Sequence, residues 1–153
     1  MNTAGITSGG FSGSQSYLLS GSNTLSKSGL NSSKTYVVSY WTTASSPLTI
    51  TGTIATYPIK GVTIGGWTYY EHQVTGETTI TLSGTSDIDE VRLYPNDAQM
   101  KSYTYAPLIG INSSVNEKNE LSLYDYDSFQ RLVNIKDQYG NVIRHMSYHY
   151  QGQ

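Results

Sequence analysis

The chain has 153 residues, enough for one medium domain or two small ones. Charged residues make up only 13% and the formal net charge is -2, so no basic face is available for nucleic acid or for anionic membrane surfaces. There is no cysteine, which removes disulfides, thiolate metal sites and cysteine nucleophiles, while 14 Tyr and two Trp argue against disorder.

In chain order, the first half reads as strands. Ser16 to Leu19 and Thr24 to Ser28 predict a hairpin across Gly21-Ser22-Asn23. Thr35 to Thr43 alternates Tyr36, Val38 and Tyr40 on one face with Val37, Ser39 and Trp41 on the other. Both faces carry large side chains, so a central strand covered on both sides is expected. Leu48 to Ile54 predicts a strand with a bend at Gly52. Trp67 to Val74 follows the turn pair Gly65-Gly66, and Thr78 to Leu82 and Ile88 to Tyr94 flank the turn Ser83-Gly84-Thr85-Ser86. Short β-rich runs between Gly, Ser and Asn turns predict an antiparallel β-sandwich.

The second half differs in chemistry. Residues 1–86 hold five charges (Lys27, Lys34, Lys60, Glu71 and Glu77), and residues 87–153 hold the other fifteen. The boundary is placed after Pro95-Asn96-Asp97, which divides the chain into 1–97 and 98–153. Tyr-x-Tyr pairs recur at Tyr103/Tyr105, Tyr124/Tyr126 and Tyr148/Tyr150, separated by 21 and 24 residues. Leu132 to Lys136 alternates as a strand, Asp137 to Asn141 carries turn chemistry with Gly140, and Val142 begins the returning strand. Two to three β-hairpins are therefore expected, each with a tyrosine pair at its edge, and Asn116-Glu117-Lys118-Asn119 reads as a degraded turn.

Two resemblances follow from these residues. Tyr124-Asp125-Tyr126-Asp127-Ser128-Phe129-x-Arg131-Leu132, then Asp137-x-x-Gly140-Asn141 and Tyr148-x-Tyr150, resemble the YD-repeat (Rhs-type) proteins of bacteria. Gln130 stands where that family usually has Gly, and Tyr105-Ala106 replaces its Tyr-Asp. Gly10-Phe11-x-Gly13-x-x-Ser16-Tyr17, Tyr36 to Trp41, Gly66-Trp67-x-Tyr69 and Ile88 to Pro95 resemble a carbohydrate-binding jelly roll of the galactose-binding type. The resemblances imply a secreted or cell-surface protein with a glycan or cell-surface polysaccharide as partner. The terminal hairpins expose unpaired N–H and C=O groups, so the alternative expectation is a structural, self-assembling subunit of a filament or shell that pairs with a copy of itself or with a longer YD-repeat chain. That jelly roll opens with a strand before Gly10, where this chain has only Met1 to Gly9. The N-terminus has neither a basic nor an apolar signal region, so an export signal is expected outside the chain.

Sugar recognition needs aromatic platforms with polar groups beside them. The candidates are Trp41, Tyr57, Trp67, Tyr69 and Tyr70. Trp41 and Trp67 also suit a sandwich core, and Trp67 after a Gly-Gly turn is expected to plug it. Tyr57, beside Pro58, is expected to be the exposed platform. Asp87, Asp89 and Glu90 form an acidic cluster that suits a structural calcium ion or, more plainly, a solvated strand edge. His145 and His149 lie four apart, roughly 13 Å along a strand, too far for one metal. His72 reads as a surface or packed residue. No nucleophile elbow, His-Glu-x-x-His or P-loop occurs, and Asp125 with Asp127, a pair on one strand face, reads as turn capping rather than a glycosidase pair. No enzyme activity and no cofactor are expected.

Overall fold

The computed structural model describes residues 5–149. They are all β: every paired strand is antiparallel and no helix occurs among the described residues. The chain folds as two compact units, Met1–Met100 and Lys101–Gln153.

The first unit holds nine strands: β1 (Ile6–Ser8), β2 (Gln15–Leu18), β3 (Leu25–Ser28), β4 (Tyr36–Thr42), β5 (Thr49–Ile50), β6 (Ile59–Ile64), β7 (Trp67–Val74), β8 (Thr79–Ser83) and β9 (Asp87–Pro95). They form a six-stranded sheet ordered β1-β2-β9-β4-β7-β6 and a three-stranded sheet ordered β3-β8-β5. Tyr36, Val38 and Tyr40 of β4, Tyr70 and Val74 of β7, Ile88 of β9, and Ile80 and Leu82 of β8 meet in one core between the sheets. Burying each such aliphatic side chain is worth roughly 1.5–3 kcal/mol. β4 lies between β7 and β9, and each of its residues is buried.

The hairpin expected across Gly21-Ser22-Asn23 does not form. The turn closes, since Ser20 and Asn23 exchange backbone hydrogen bonds of 3.1 Å, but the strands part beyond it. β2 pairs with β1 and β9, whereas β3 pairs with β8 in the other sheet. The crossing lets Leu19 and Leu25 reach one core from opposite sides. A flat hairpin would have placed both in one sheet.

Three further differences concern strand extent. β1 does precede Gly10, pairing Ile6 with Tyr17. The strand expected over Leu48–Ile54 shrinks to Thr49–Ile50, because Gly52 (φ 74°) turns the chain there. β6 was not expected at all. It is an edge strand, exposed along nearly its whole length, so no alternation of polar and apolar residues betrays it.

β9 carries a bulge. Ser39 faces Arg92 and Trp41 faces Asp89, so β9 spends one residue more than β4 over the same span. The extra residue is Glu90, at φ 50°. The bulge inverts the alternation: Ile88 points into the core, yet so do Val91 and Leu93, while Arg92 and Tyr94 join Asp89 on the outer face.

One buried polar relay crosses the core. The Leu48 N–H donates to Tyr40 Oη at 2.8 Å, and Tyr40 Oη lies 3.0 Å from His72 Nε2. His72 Nδ1 lies 3.1 Å from Thr53 Oγ1, which donates to the Ile50 carbonyl at 2.8 Å. Thr53 has only one proton and gives it to Ile50. His72 must therefore donate from Nδ1 and accept the Tyr40 proton at Nε2, so the ring is neutral. Burial lowers its pKa to about 4.

The second unit is a five-stranded sheet in sequential order: β10 (Ser102–Ala106), β11 (Gly110–Val115), β12 (Leu121–Tyr126), β13 (Leu132–Lys136) and β14 (Val142–His145). Ser113, Val115 and Leu121 are its only buried residues among those described. Its last three connections are one turn made three times. Asn116, Asp127 and Asp137 each accept, through Oδ1, the N–H groups two and four residues on, at 2.9–3.0 Å. The fourth residue of each turn has positive φ: Asn119 at 63°, Gln130 at 61° and Gly140 at 86°. Asn116 to Glu120, read above as degraded, is thus a complete copy. Asp127 lies in a turn rather than on a strand face with Asp125, which instead pairs with Lys136 at 2.6 Å.

Candidate functional site

The outer face of the six-stranded sheet brings together most of the aromatic candidates. Residues alternate on β7, with Thr68, Tyr70, His72 and Val74 inside and Trp67, Tyr69, Glu71 and Gln73 outside. Register then assembles two rows. Tyr69, Trp41 and Asp89 lie side by side across β7, β4 and β9, and Glu71, Ser39 and Arg92 form the next row. One row is mostly aromatic, and the other is made of hydrogen-bonding groups.

Each member is held in place. The Tyr69 ring lies over β6 at Gly61, where an added Cβ would stand 2.7 Å from Tyr69 Cδ1. Its hydroxyl donates to Glu71 Oε2 at 3.0 Å, and its centroid is 5.6 Å from that of Trp41. Burial, followed by the Glu71 carboxylate, pushes the Tyr94 phenol up, and burial does the same for Tyr69. Both remain protonated donors at neutral pH. Arg92 is 2% exposed, 3.5 Å from Glu90 Oε2, and donates to the Met100 carbonyl at 3.4 Å.

Trp41 is 2% exposed. The Phe11 ring stacks on it with centroids 3.7 Å apart and an interplanar angle of 13°. Phe11 sits at the tip of the β1–β2 connection, which turns tightly through the Gly9–Ser14 and Gly10–Gly13 backbone bonds. Ser12 ties that tip to β9: its N–H donates to Asp89 Oδ2 at 3.0 Å and its hydroxyl to Glu90 Oε1 at 2.6 Å.

Two aromatic candidates, Tyr70 and Tyr57, fall elsewhere. Tyr70 is a core residue whose hydroxyl donates to the Ser45 carbonyl. Tyr57 precedes a cis proline and is half-buried, its N–H bonded to the Ile54 carbonyl. Trp67 does not plug the core but stands half-buried on the outer row beside Ile64 of β6. Asp87 Oδ1 accepts from Thr7 Oγ1 at 2.7 Å, and the Asp89 oxygens accept from the backbone of Ser12 and Glu90. A calcium ion takes six to eight oxygens, and among the described residues no three His, Cys, Asp or Glu converge on a metal position. The acidic cluster serves here to latch the opening segment onto β9. His145 Nδ1 lies 2.8 Å from Asn134 Oδ1, and His149 lies beyond the end of β14.

Phe11, Glu71 and Arg92 were not singled out as site residues in the sequence. The glycine-flanked Phe11 was a visible signal. Arg92 carried none, because the bulge decides which way it faces. A groove of about 530 Å³ also opens between the sheets, lined by Leu25, Val38, Ile80, Leu82, Val91 and Leu93. Thr24, Ser26 and Lys27 complete its lining, which presents no aromatic ring to a sugar.

In the second unit, Tyr103 and Tyr105 lie on β10, and Tyr124 and Tyr126 on β12. The Tyr126 hydroxyl donates to the Ile111 carbonyl at 2.9 Å, and the Tyr148 hydroxyl to the Leu132 carbonyl at 2.8 Å. Ile111 faces Tyr105 and Leu132 faces Tyr126. Tyr148 therefore occupies the place of the second tyrosine of a pair, one place later than the sequence pairing implies, and it lies past β14 rather than in it. Arg131 stands over both the Tyr148 and Phe129 rings, at 4.5 and 5.3 Å. Tyr150 lies outside the described residues.

No protein-family model matches the chain, and no curated protein matches it. No helix of the described residues is long and apolar enough to cross a membrane.

Proposed function

We propose that the chain is a non-catalytic binding module of a secreted or cell-surface protein, with a glycan as its ligand, carrying hairpins of the YD-repeat type as a scaffold. The reading rests on one observation. The outward row of β7 sets two half-buried rings, Trp67 and Tyr69, beside Glu71 and Gln73, whose side chains can bond sugar hydroxyls. Aromatic faces take up the C–H side of a pyranose, and the flanking polar groups fix its orientation. The jelly-roll resemblance of the first unit agrees with this use of its outer face. Asp125 bonds Lys136, and Asp127 bonds Arg131 within its turn, so both carboxylates serve the hairpins.

A glycan array tests the reading. Binding is expected, and Trp67→Ala should abolish it while the thermal unfolding midpoint moves by only a few degrees. Tyr57→Ala should leave it intact. Retained binding in Trp67→Ala would move the site elsewhere.

A second reading has its own observation. β14 is an edge strand with all four residues exposed, among them Val142 at 54% and Ile143 at 61%. Such an edge offers unpaired backbone groups to another chain's strand, and Arg144 is the one charged side chain on β14 that opposes pairing. Self-assembly through this edge would appear as mass growing with concentration in light scattering, and Ile143→Lys should suppress it.

A further inference from the structure

We propose that the Trp41 indole is a second sugar subsite, continuous with Trp67 and Tyr69, which the chain's own Phe11 occupies in the absence of ligand. This rests on the glycan reading above and assigns that site an inner half and a cover.

Four observations carry it. Phe11 lies on Trp41 nearly parallel, at 3.7 Å and 13°, which is where a pyranose face would lie on an indole. Trp41 adjoins the open row, its centroid 5.6 Å from that of Tyr69 and its backbone in register with it. The indole Nε1 is buried and has no hydrogen-bond partner among the described residues. A buried donor left unanswered is destabilising, and a ligand hydroxyl would satisfy it. Finally, Phe11 belongs to a removable element. Gly9, at φ 84°, and Gly13 flank the tip, and Ser12 ties it to Asp89 and Glu90 of β9. Freeing Ser12 would release the ring without breaking a strand pair.

The cover acts as an internal competitor. A site that is open for a small fraction of the time shows an affinity reduced by that fraction. Sugar that displaces Phe11 would stack on Trp41, and the ligand would then span the indole and the Tyr69 ring. The Ser12 latch sets how often this happens.

The test uses the full chain and three soluble probes, lactose, cellobiose and N,N′-diacetylchitobiose, titrated by calorimetry. Phe11→Ala should bind at least one of them about tenfold more tightly than the unchanged protein, the gain expected if the loop is open roughly a tenth of the time. Ser12→Ala keeps the ring and loosens the latch, so it should give a smaller gain of the same sign. It stands in if Phe11→Ala fails to fold. In ligand-free protein carrying Trp67→Phe, Trp41 is the sole tryptophan, and its fluorescence should become more accessible to acrylamide when Ser12→Ala is added. If the unchanged protein binds a probe and neither variant binds it more tightly, the covered subsite is wrong and the Trp67–Tyr69 reading stands. If no form binds any probe or any array glycan, both fall.

Discussion

At the residue scale, His72 links stability to pH. Its neutral ring is held by Tyr40 and Thr53, and burial lowers its pKa from 6.5 to about 4 in the folded chain. The unfolded chain therefore binds a proton that the folded one refuses between those values. Stability is complete above pH 6.5 and declines as the pH falls toward 4, by of order 2–3 kcal/mol. Asp125, Asp127 and Asp137 behave differently, each held below the aspartate value of 3.8 mainly by a side-chain partner (Lys136, Arg131 and Asn141). Their contribution is present above that value and is lost only as the pH falls through their lowered range. Both tryptophans, Trp41 and Trp67, lie in the first unit. Urea melts followed by tryptophan emission should therefore lose midpoint steadily from pH 6.5 to 4.5, and His72→Gln should flatten that slope. An unchanged slope would contradict the relay.

At the scale of the element, the repeated turn makes a sharp prediction about backbone strain. Gln130 holds a left-handed conformation at φ 61°, where Gly140 stands in the next turn at 86°. A side chain there costs about 1 kcal/mol relative to glycine, offset in part by the entropy that glycine loses on folding. Gln130→Gly should thus raise stability slightly, by a few tenths to 1 kcal/mol, while Gly140→Val should lower it. A melting series on the two variants separates them. The same turn explains why Asp127 matters: its two oxygens hold the Phe129 and Arg131 amides and the Arg131 guanidinium. Asp127→Ala should increase amide exchange at Phe129 and Arg131 ahead of the rest of the unit. The β9 bulge is the corresponding device in the first unit. Removing Glu90 would take out the extra residue and leave Val91 and Leu93 facing the core and Arg92 and Tyr94 facing out, while the Ser12 hydroxyl loses its Glu90 partner. That deletion should leave the sandwich folded, with a lowered melting midpoint, whereas a residue inserted after Glu90 would turn Arg92 toward the core and should prevent folding.

At the scale of the molecule, two all-β units use different means to hold a sheet together. The first buries a shared core of tyrosine and aliphatic side chains between two sheets. The second, with only Val115, Leu121 and Ser113 buried among its described residues, relies on cross-strand contacts: the Thr104–Ser113 and Ser114–Tyr124 hydroxyl pairs, Asp125 with Lys136, and the tyrosine hydroxyls reaching back to Ile111 and Leu132. Each such pair contributes roughly 0.2–1 kcal/mol, so removing one weakens that sheet by a small step. Tyr126→Phe should cost no more than about 1 kcal/mol in a melt, whereas Val38→Ala, which opens a hole in the packed core, should cost about 2 kcal/mol or more.

The sequence by itself determined that the chain is extended throughout, and local chemistry is the reason. Thr35 to Thr43 and Thr78 to Leu82 are rich in β-branched and aromatic residues, and Asp137 to Asn141 can only turn, since each of these signals depends on neighbours a few residues away. Which strands share a sheet, where β6 runs, and which way Arg92 faces were decided by the tertiary structure alone. β2 and β3 are adjacent in sequence but part at Asn23 because burying Leu19 and Leu25 in one core requires opposite sheets. Glu90 shifts the face of everything after it on β9, a consequence of one φ angle that no residue pattern encodes. The aromatic row was legible as composition. It became a surface only when register set Tyr69, Trp41 and Asp89 abreast, because side chains far apart in the chain meet only through the pairing of their backbones.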